Sequence, residues 1–268
     1  MKDPIQNPDE KVSLKAEDLS IGYWHGREAL FVARQINFAL EKGQLTGIVG
    51  VNGIGKSTLL RTLAGIQPVL SGNILLDGNS LEALKERERS RAISVVLTDP
   101  IPTRNLSVLE LISLGRQPYT NWIGRLSRED RLRIGSAMET VGLLPIQYKK
   151  CYELSDGQLQ KVLIARAIAQ DTEIVLLDEP TTHLDLYHKV QILKLLQQIA
   201  HEKNKIILFT THEIDMAIQL CDTMLLLDNR ENAFGQPCQL IEAKKFDTLF
   251  PEGQIQFDPR SGSFKVNK

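Results

Sequence analysis

Only three cysteines occur in the 268 residues, Cys151, Cys221 and Cys238, and no two of them form a C-x-x-C pair. An odd number without ligand spacing excludes a disulfide scaffold and a cysteine-built metal centre, and fits reduced thiols in a cytoplasmic protein. Long apolar runs are also missing. Stretches such as Ile174–Leu177 and Met224–Leu227 fall far short of the roughly 20 residues that span a bilayer. Neither sign of charge dominates: 32 basic residues face 33 acidic ones, for a net charge of -1. That balance removes the electrostatic case for nucleic acid as the main ligand. The segment Met1–Glu10 is polar and broken by Pro4 and Pro8, so it has no apolar core for a signal peptide. There is no internal repeat and no low-complexity segment. The rest, 42% hydrophobic and 24% charged, suits one large globular domain or a core with a subdomain.

Against this plain background one stretch stands out: Gly50-Val51-Asn52-Gly53-Ile54-Gly55-Lys56-Ser57-Thr58. It fits G-x-x-x-x-G-K-[ST], the phosphate-binding loop of nucleotide hydrolases. Leu45–Val49 before it reads as a buried strand, and Ser57–Ala64 after it reads as a helix, the context the motif needs. Gly50, Gly53 and Gly55 let the backbone wrap a polyphosphate so that successive N–H groups point inward. The helix N-terminus adds partial positive charge. Lys56 is placed to reach the β- and γ-phosphates, and the Ser57 hydroxyl to hold Mg²⁺. Alone, the loop says nucleoside triphosphate and no more.

The pattern around it alternates. Val12–Tyr23, Arg34–Leu40, Leu45–Val49, Ile74–Asp77 and Ile93–Leu97 read as strands. Glu41-Lys42-Gly43, Ser71-Gly72-Asn73 and Asp77-Gly78 read as turns. From about Ser107 to Ile168 strand signals vanish, and helices are expected at Ser107–Leu114, Ser127–Val141 and Ser155–Ala169. Alternation then resumes: strand Ile174–Leu177, helix Leu186–Lys203, strand Lys205–Thr211, helix Glu213–Leu220, strand Thr223–Leu227. Strands alternating with helices imply a mostly parallel, covered sheet. Ile255–Asp258 and Ser263–Val266, around Pro259-Arg260-Ser261-Gly262, suggest a β-hairpin.

Two further segments carry chemistry. Ile174–Leu177 ends in Asp178-Glu179, which places both acids at the carboxyl edge of a buried strand, where open α/β sheets bind ligands. Asp178 suits Mg²⁺, directly or through water, and Glu179 suits the general base that polarises an attacking water. Leu154-Ser155-Asp156-Gly157-Gln158 precedes a strong helix. Ser155 is a good N-cap with Gln158 three residues on, as in a capping box. The same hydroxyl, the Gly157 N–H and the helix N-terminus also make an anion site.

These three segments, in this order, resemble the ATP-binding-cassette ATPases, which carry L-S-G-G-Q between the phosphate loop and the Asp-Glu strand. The resemblance runs from about Val12 to Ala243. By that resemblance Tyr23 stacks on adenine and His212 is the switch histidine that contacts the γ-phosphate. Pro180–Asp185 links the two ATP sites of a dimer, and Asp185 is its nucleotide-facing end. Ser155 and Gly157 cap the γ-phosphate held by Lys56 of a second copy, and Gln158 belongs to the same nucleotide-binding set. Two positions depart from the family pattern. Thr98 stands where a Gln usually meets Mg²⁺; it is shorter and lacks the amide, and Asp99 or a bridging water is the substitute to look for. Asp156 replaces the first Gly of L-S-G-G-Q, where the helix N-terminus favours its charge.

The implied fold is α/β: a P-loop core with a mostly parallel sheet, an antiparallel β subdomain on the N-terminal side and an inserted helical subdomain. One domain over 1–268 divides into a core at 10–98 and 171–243, the helical subdomain at 99–170 and a C-terminal extension at 244–268. The implied activity is ATP hydrolysis, with ATP and Mg²⁺, that powers import through separate integral permease subunits. The implied working form is a homodimer on the cytoplasmic face of the membrane, served indirectly by a substrate-binding protein. The segments Leu114-Gly115-Arg116-Gln117-Pro118-Tyr119 and Pro180–Leu186 look most like the ATPases of iron–siderophore, haem and cobalamin importers. Leu114, Pro118, Tyr119 and Trp122 are the residues offered to the permease. Two rivals stay open: a soluble cassette ATPase with an assembly or scaffold role, and a P-loop kinase or GTPase.

Overall fold

The computed structural model describes residues 13–98, 104–249, 255–259 and 261–266. Its first layer is an antiparallel sheet. β1 (Ser13–His25) pairs along its length with β2 (Glu28–Glu41), from Ser13↔Glu41 to His25↔Glu28. Alternation buries Leu14 and Ala16 on one face, and a register shift near Asp18, at φ +46°, brings Leu19 and Ile21 inward as well. β2 begins six residues before the expected Arg34. Its first half, Glu28 to Gln35, runs over the surface as a ribbon, so no buried alternation announced it. Val12, the expected start of β1, lies outside the described residues.

β3 (Leu45–Val49) is buried at every residue and runs into the phosphate loop and then α1 (Lys56–Leu63). β4 (Ser71–Leu76) returns to the free edge of β1, and β5 (Asn79–Ser80) completes the order β2-β1-β4-β5. Ser71-Gly72-Asn73 is therefore strand, with Ser71 opposite Ser20, and not the turn its composition suggested. α2 (Glu86–Ala92) buries none of its seven residues, and no apolar periodicity predicted it.

β6 (Ile93–Val96) leads into α3 (Val108–Ser113), α4 (Arg128–Thr140) and α5 (Asp156–Ala169). Each of these three helices starts one residue after a serine whose Oγ accepts an N–H of the first turn, namely Ser107, Ser127 and Ser155. Such caps satisfy donors that the helix cannot satisfy itself. A short 3₁₀ stretch, Leu114–Tyr119, follows α3 and locks the helices together. The buried Arg116 pairs with Asp130 at 2.8 Å and donates to the Ala169 carbonyl, also at 2.8 Å. Gly115 lies so close to the end of α5 that a Cβ there would sit 2.2 Å from the Arg166 oxygen. Tyr119 packs beneath the Arg116 guanidinium, 3.9 Å from ring centre to Cζ.

The chain then lays down β7 (Ile174–Leu177), α6 (Leu186–Glu202), β8 (Ile206–Thr210), α7 (Ile214–Leu220), β9 (Thr223–Leu226), β10 (Ala233–Gly235) and α8 (Pro237–Glu242). The main sheet has the order β10-β9-β3-β8-β7-β6, parallel except for β10. Every residue of β7, β8 and β9 is buried, as a sheet covered on both faces requires. Period two divides them. Ile206 and Leu208 face the layer with α1 and the antiparallel sheet, while Ile207 and Phe209 share a core with α3, α4 and α5. β11 (Ile255–Asp258) and β12 (Ser263–Val266) form the expected hairpin. It packs on α7 through β12, while Phe257 of β11 stacks on Phe246 at 4.9 Å between centroids.

Candidate nucleotide site

The parallel strands end on one edge of the sheet, and that edge gathers four chemical segments: the loop after β3, Thr98 beyond β6, Asp178-Glu179 after β7 and His212 after β8. Gly55 sits at φ +109° as the residue before α1. Any larger residue there is strained and would drive its Cβ to 2.5 Å from Val32. No side chain caps α1, and its first turn has no acid. Its first N–H groups are thus left for an anion. Lys56 is buried and donates to the carbonyls of Gly50 (2.8 Å) and Val51 (3.2 Å), so it staples the loop it serves.

Lys56 Nζ also stands 3.4 Å from His212 Nδ1, and His212 Nε2 stands 2.5 Å from Glu179 Oε1. An ammonium only donates, so its contact assigns the lone pair to Nδ1 and the proton to Nε2, which then donates to the carboxylate. Glu179 Oε2 accepts from Thr182 Oγ1 at 3.0 Å. Burial lowers the Lys56 pKa from its ordinary value, opposed by the nearby charges of Glu179 and Asp178. A buried ammonium facing two carboxylates is further favoured by additional anionic oxygens brought beside it.

Asp178 is 2% exposed. Its Oδ1 accepts from Ser57 Oγ at 2.9 Å and from Thr210 Oγ1 at 2.7 Å, and Thr98 Oγ1 donates to Oδ2 at 3.4 Å. One carboxylate with a neighbouring hydroxyl suits Mg²⁺, which takes few protein ligands and completes its shell with phosphate oxygens and water. Among the described residues no three His, Cys, Asp or Glu side chains converge to hold a metal by themselves. The donor set therefore fits Mg²⁺ together with a polyphosphate. Asp99, the other acid considered at this end, lies outside the described residues.

Tyr23, Asn52, Gly53, Gly55, Lys56, Ser57, Thr58, Glu179 and His212 line a single cleft. Tyr23 stands at its mouth, half exposed, with its hydroxyl 2.9 Å from Thr58 Oγ1. Gly50 lies at the base, beneath Lys56. Ser155, Gly157, Gln158 and Asp185 line no part of that cleft. They form a second group, at the starts of α5 and α6. Ser155 Oγ accepts from Gln158 N at 3.3 Å and Gln158 Oε1 accepts from Ser155 N at 3.2 Å, the expected capping box. Asp185 Oδ1 accepts from His188 N at 2.9 Å and pairs with His188 Nδ1 at 2.8 Å. These bonds hold the Asp185 pKa below the usual carboxylate range. The His188 ring covers Gly157, where a Cβ would meet it at 3.1 Å. Exposed Asp156 shares a groove with Arg104, Thr98 and Glu179.

Three residues at the site had no flag in the sequence. Thr210 accepts from Glu179 N at 2.8 Å while donating to Asp178, so it positions both acids. Its only signal was a hydroxyl ending an apolar strand. Thr182 lies within the Pro180–Asp185 segment without being singled out there, and His188 gave no signal. Glu179 itself lies at φ +47°, a left-handed conformation that costs a non-glycine residue of order 1–3 kcal/mol. Thr210, Thr182 and His212 together hold it there.

Comparison with known proteins follows the same lines. A family model described as ABC transporter matches residues 33–182. The petrobactin import ATP-binding protein FpuD of Bacillus anthracis is 31% identical, over 94% of this chain and 91% of its own. The iron(3+)-hydroxamate import ATP-binding protein FhuC of Bacillus subtilis is 36% identical, over 80% of this chain and 78% of its own. A solved dimeric ATP-binding cassette, in a post-hydrolysis state bound to ADP and Pi, superposes with a TM-score of 0.70 at 26% identity. That match covers 84% of this chain and 98% of the other.

Proposed function

From the premise that this chain belongs to the ABC transporter family and is one of its ATPases, we propose that it powers import of an iron chelate, haem or cobalamin through separate membrane subunits. Iron chelates lead that set, because curated relatives are named for petrobactin and iron(3+)-hydroxamate import. The observation that carries the reading is the line Lys56–His212–Glu179 beside an uncapped helix N-terminus, with Asp178 behind it. In this reading the chain divides into a core (10–98 and 171–243), a helical subdomain (99–170) and an extension (244–268).

Lys56 and the first-turn N–H groups of α1 bind the β- and γ-phosphates of ATP. Tyr23 faces the base, and Asn52, Ser57 and Thr58 border the phosphates. Ser57 and Asp178, with Thr98 beside them, would hold Mg²⁺, which when bound would neutralise charge on the phosphate oxygens. Glu179 orients a water and accepts its proton as the water oxygen bonds to the γ-phosphorus and the bond to ADP breaks. Lys56 and His212 turn from each other toward the γ-phosphate, which frees a Glu179 oxygen for that water. Ser155, Gly157, Gln158 and Asp185 lie outside the cleft, so a second copy supplies them across a two-fold interface. Among the described residues no helix is long and apolar enough to cross a membrane. In this reading the permease subunits are separate chains, with the helical subdomain as their dock and the ATPase peripheral on the cytoplasmic face.

Glu179→Gln tests this directly. ATP binding stays intact, hydrolysis falls by about a hundredfold or more, and Mg-ATP traps a dimer on size exclusion. A variant that stays monomeric with Mg-ATP defeats the two-copy site. Purifying the chain from its native membrane tests the rest. A co-purifying integral subunit supports import, and its absence favours the soluble scaffold ATPase.

A further inference from the structure

We propose that the loop from Asn121 to Arg125 is a membrane-surface contact. Trp122 and Ile123 seat in the headgroup layer of an anionic bilayer, while Arg125, Arg128 and Arg131 pair with lipid phosphates. Trp122 is 94% exposed and Ile123 68%, two adjacent large apolar side chains outside any core. Their presentation is built into the loop. Asn121 Oδ1 accepts the N–H groups of Ile123 and Arg125, each at 3.2 Å, and Gly124 N donates to the Asn121 carbonyl at 2.9 Å. Thr120 ties the base of the loop to the Gln117 carbonyl, next to the buried Arg116–Asp130 clamp. The tip is thus held outward by a braced turn.

The charge beside it leans positive: Arg116, Arg125, Arg128 and Arg131 share one depression with Glu129, Asp130 and Asp171. The acids of this region already have partners: Asp130 holds Arg116, and Arg133 reaches both Glu129 (3.7 Å) and Asp171 (3.3 Å). Arg125, Arg128 and Arg131 are exposed and have no ion-pair partner among the described residues. The three border one depression with Asn121. A chain with net charge -1 therefore carries a local cationic patch around an apolar tip. Tryptophan with arginine is the pairing that settles at the bilayer interface, and anionic headgroups complement the charge. This contact needs no nucleotide and no permease, so it stands or falls apart from the ATPase reading.

The test uses the full chain and phosphatidylcholine vesicles with and without phosphatidylglycerol. A Trp24→Phe background leaves Trp122 as the one emitter, since the chain has two tryptophans. The expected result is co-sedimentation with the phosphatidylglycerol vesicles, a blue shift of Trp122 emission, and release by high salt. Arg125→Glu with Arg128→Glu weakens binding by about fivefold per arginine. Trp122→Ala also weakens it, while ATPase turnover in solution is unchanged; these side chains are exposed, so melting temperature should not move. Equal binding to phosphatidylcholine alone overturns the proposal, as does binding indifferent to all three substitutions. Full competition by inorganic phosphate would make the patch a small-anion site and overturn it too. So would an absence of binding to the phosphatidylglycerol vesicles.

Discussion

Two helix N-termini are assigned to phosphate chemistry in this protein, and they are finished in opposite ways. α1 follows Gly55 without a side-chain cap, and its buried lysine faces two carboxylates. α5 is sealed by its own Ser155 and Gln158; Ser155 and Asp156 at its start are exposed, and Gly157 lies beneath His188. An uncapped terminus offers several N–H groups at once and binds by itself. The capped terminus has spent a hydroxyl lone pair on its own helix but keeps the O–H proton to donate. In the proposed function one end binds phosphate within a single chain, and the other adds a contact to a phosphate held elsewhere.

That contrast sorts the variants. Lys56→Ala should act on the first terminus alone, lowering ATP affinity of the monomer by about a hundredfold, as expected for charge-assisted bonds to phosphate. Calorimetry at a concentration where the chain is monomeric checks it, and near-normal affinity would erase the distinction. Ser155→Asn should leave monomer binding unchanged, because Asn caps a helix as well as Ser. It should still reduce hydrolysis and ATP-driven dimerisation by about tenfold through loss of the hydroxyl donor. Equal losses of binding and hydrolysis would mean that α5 serves its own chain. Asp156→Gly should change turnover by less than about tenfold, since the α5 N-terminus already accommodates the charge. A larger gain would show that Asp156 repels the partner's γ-phosphate.

Much of this was legible in the chain because the decisive signals are local. The serines at 107, 127 and 155 marked three helix starts to within a residue, and β7 and the terminal hairpin fell where their apolar patterns ended. What stayed hidden depends on contacts distant in sequence or on surfaces without a pattern. Thr210 meets Glu179 from 31 residues away. His188 meets Gly157 only because α5 and α6 begin side by side. α2 is charged on every side, and the outer ribbon of β2 lacks a core face. The sequence presents Leu114–Tyr119 as a cue to cargo class and offers Leu114, Pro118, Tyr119 and Trp122 to the permease. In the fold Gly115, Arg116 and Tyr119 are a clamp inside the helical region, while Leu114 is half exposed and Trp122 fully so.

The left-handed backbone of Glu179 has a consequence for the history of this chain. Glycine or asparagine would occupy φ +47° with less strain, so random change scored only for folding is drawn toward them. Both discard the carboxylate. Selection for thermal resilience and selection for turnover therefore pull this codon in opposite directions. A library sorted by heat should accumulate well-folded, silent proteins at this position before any other in the cleft.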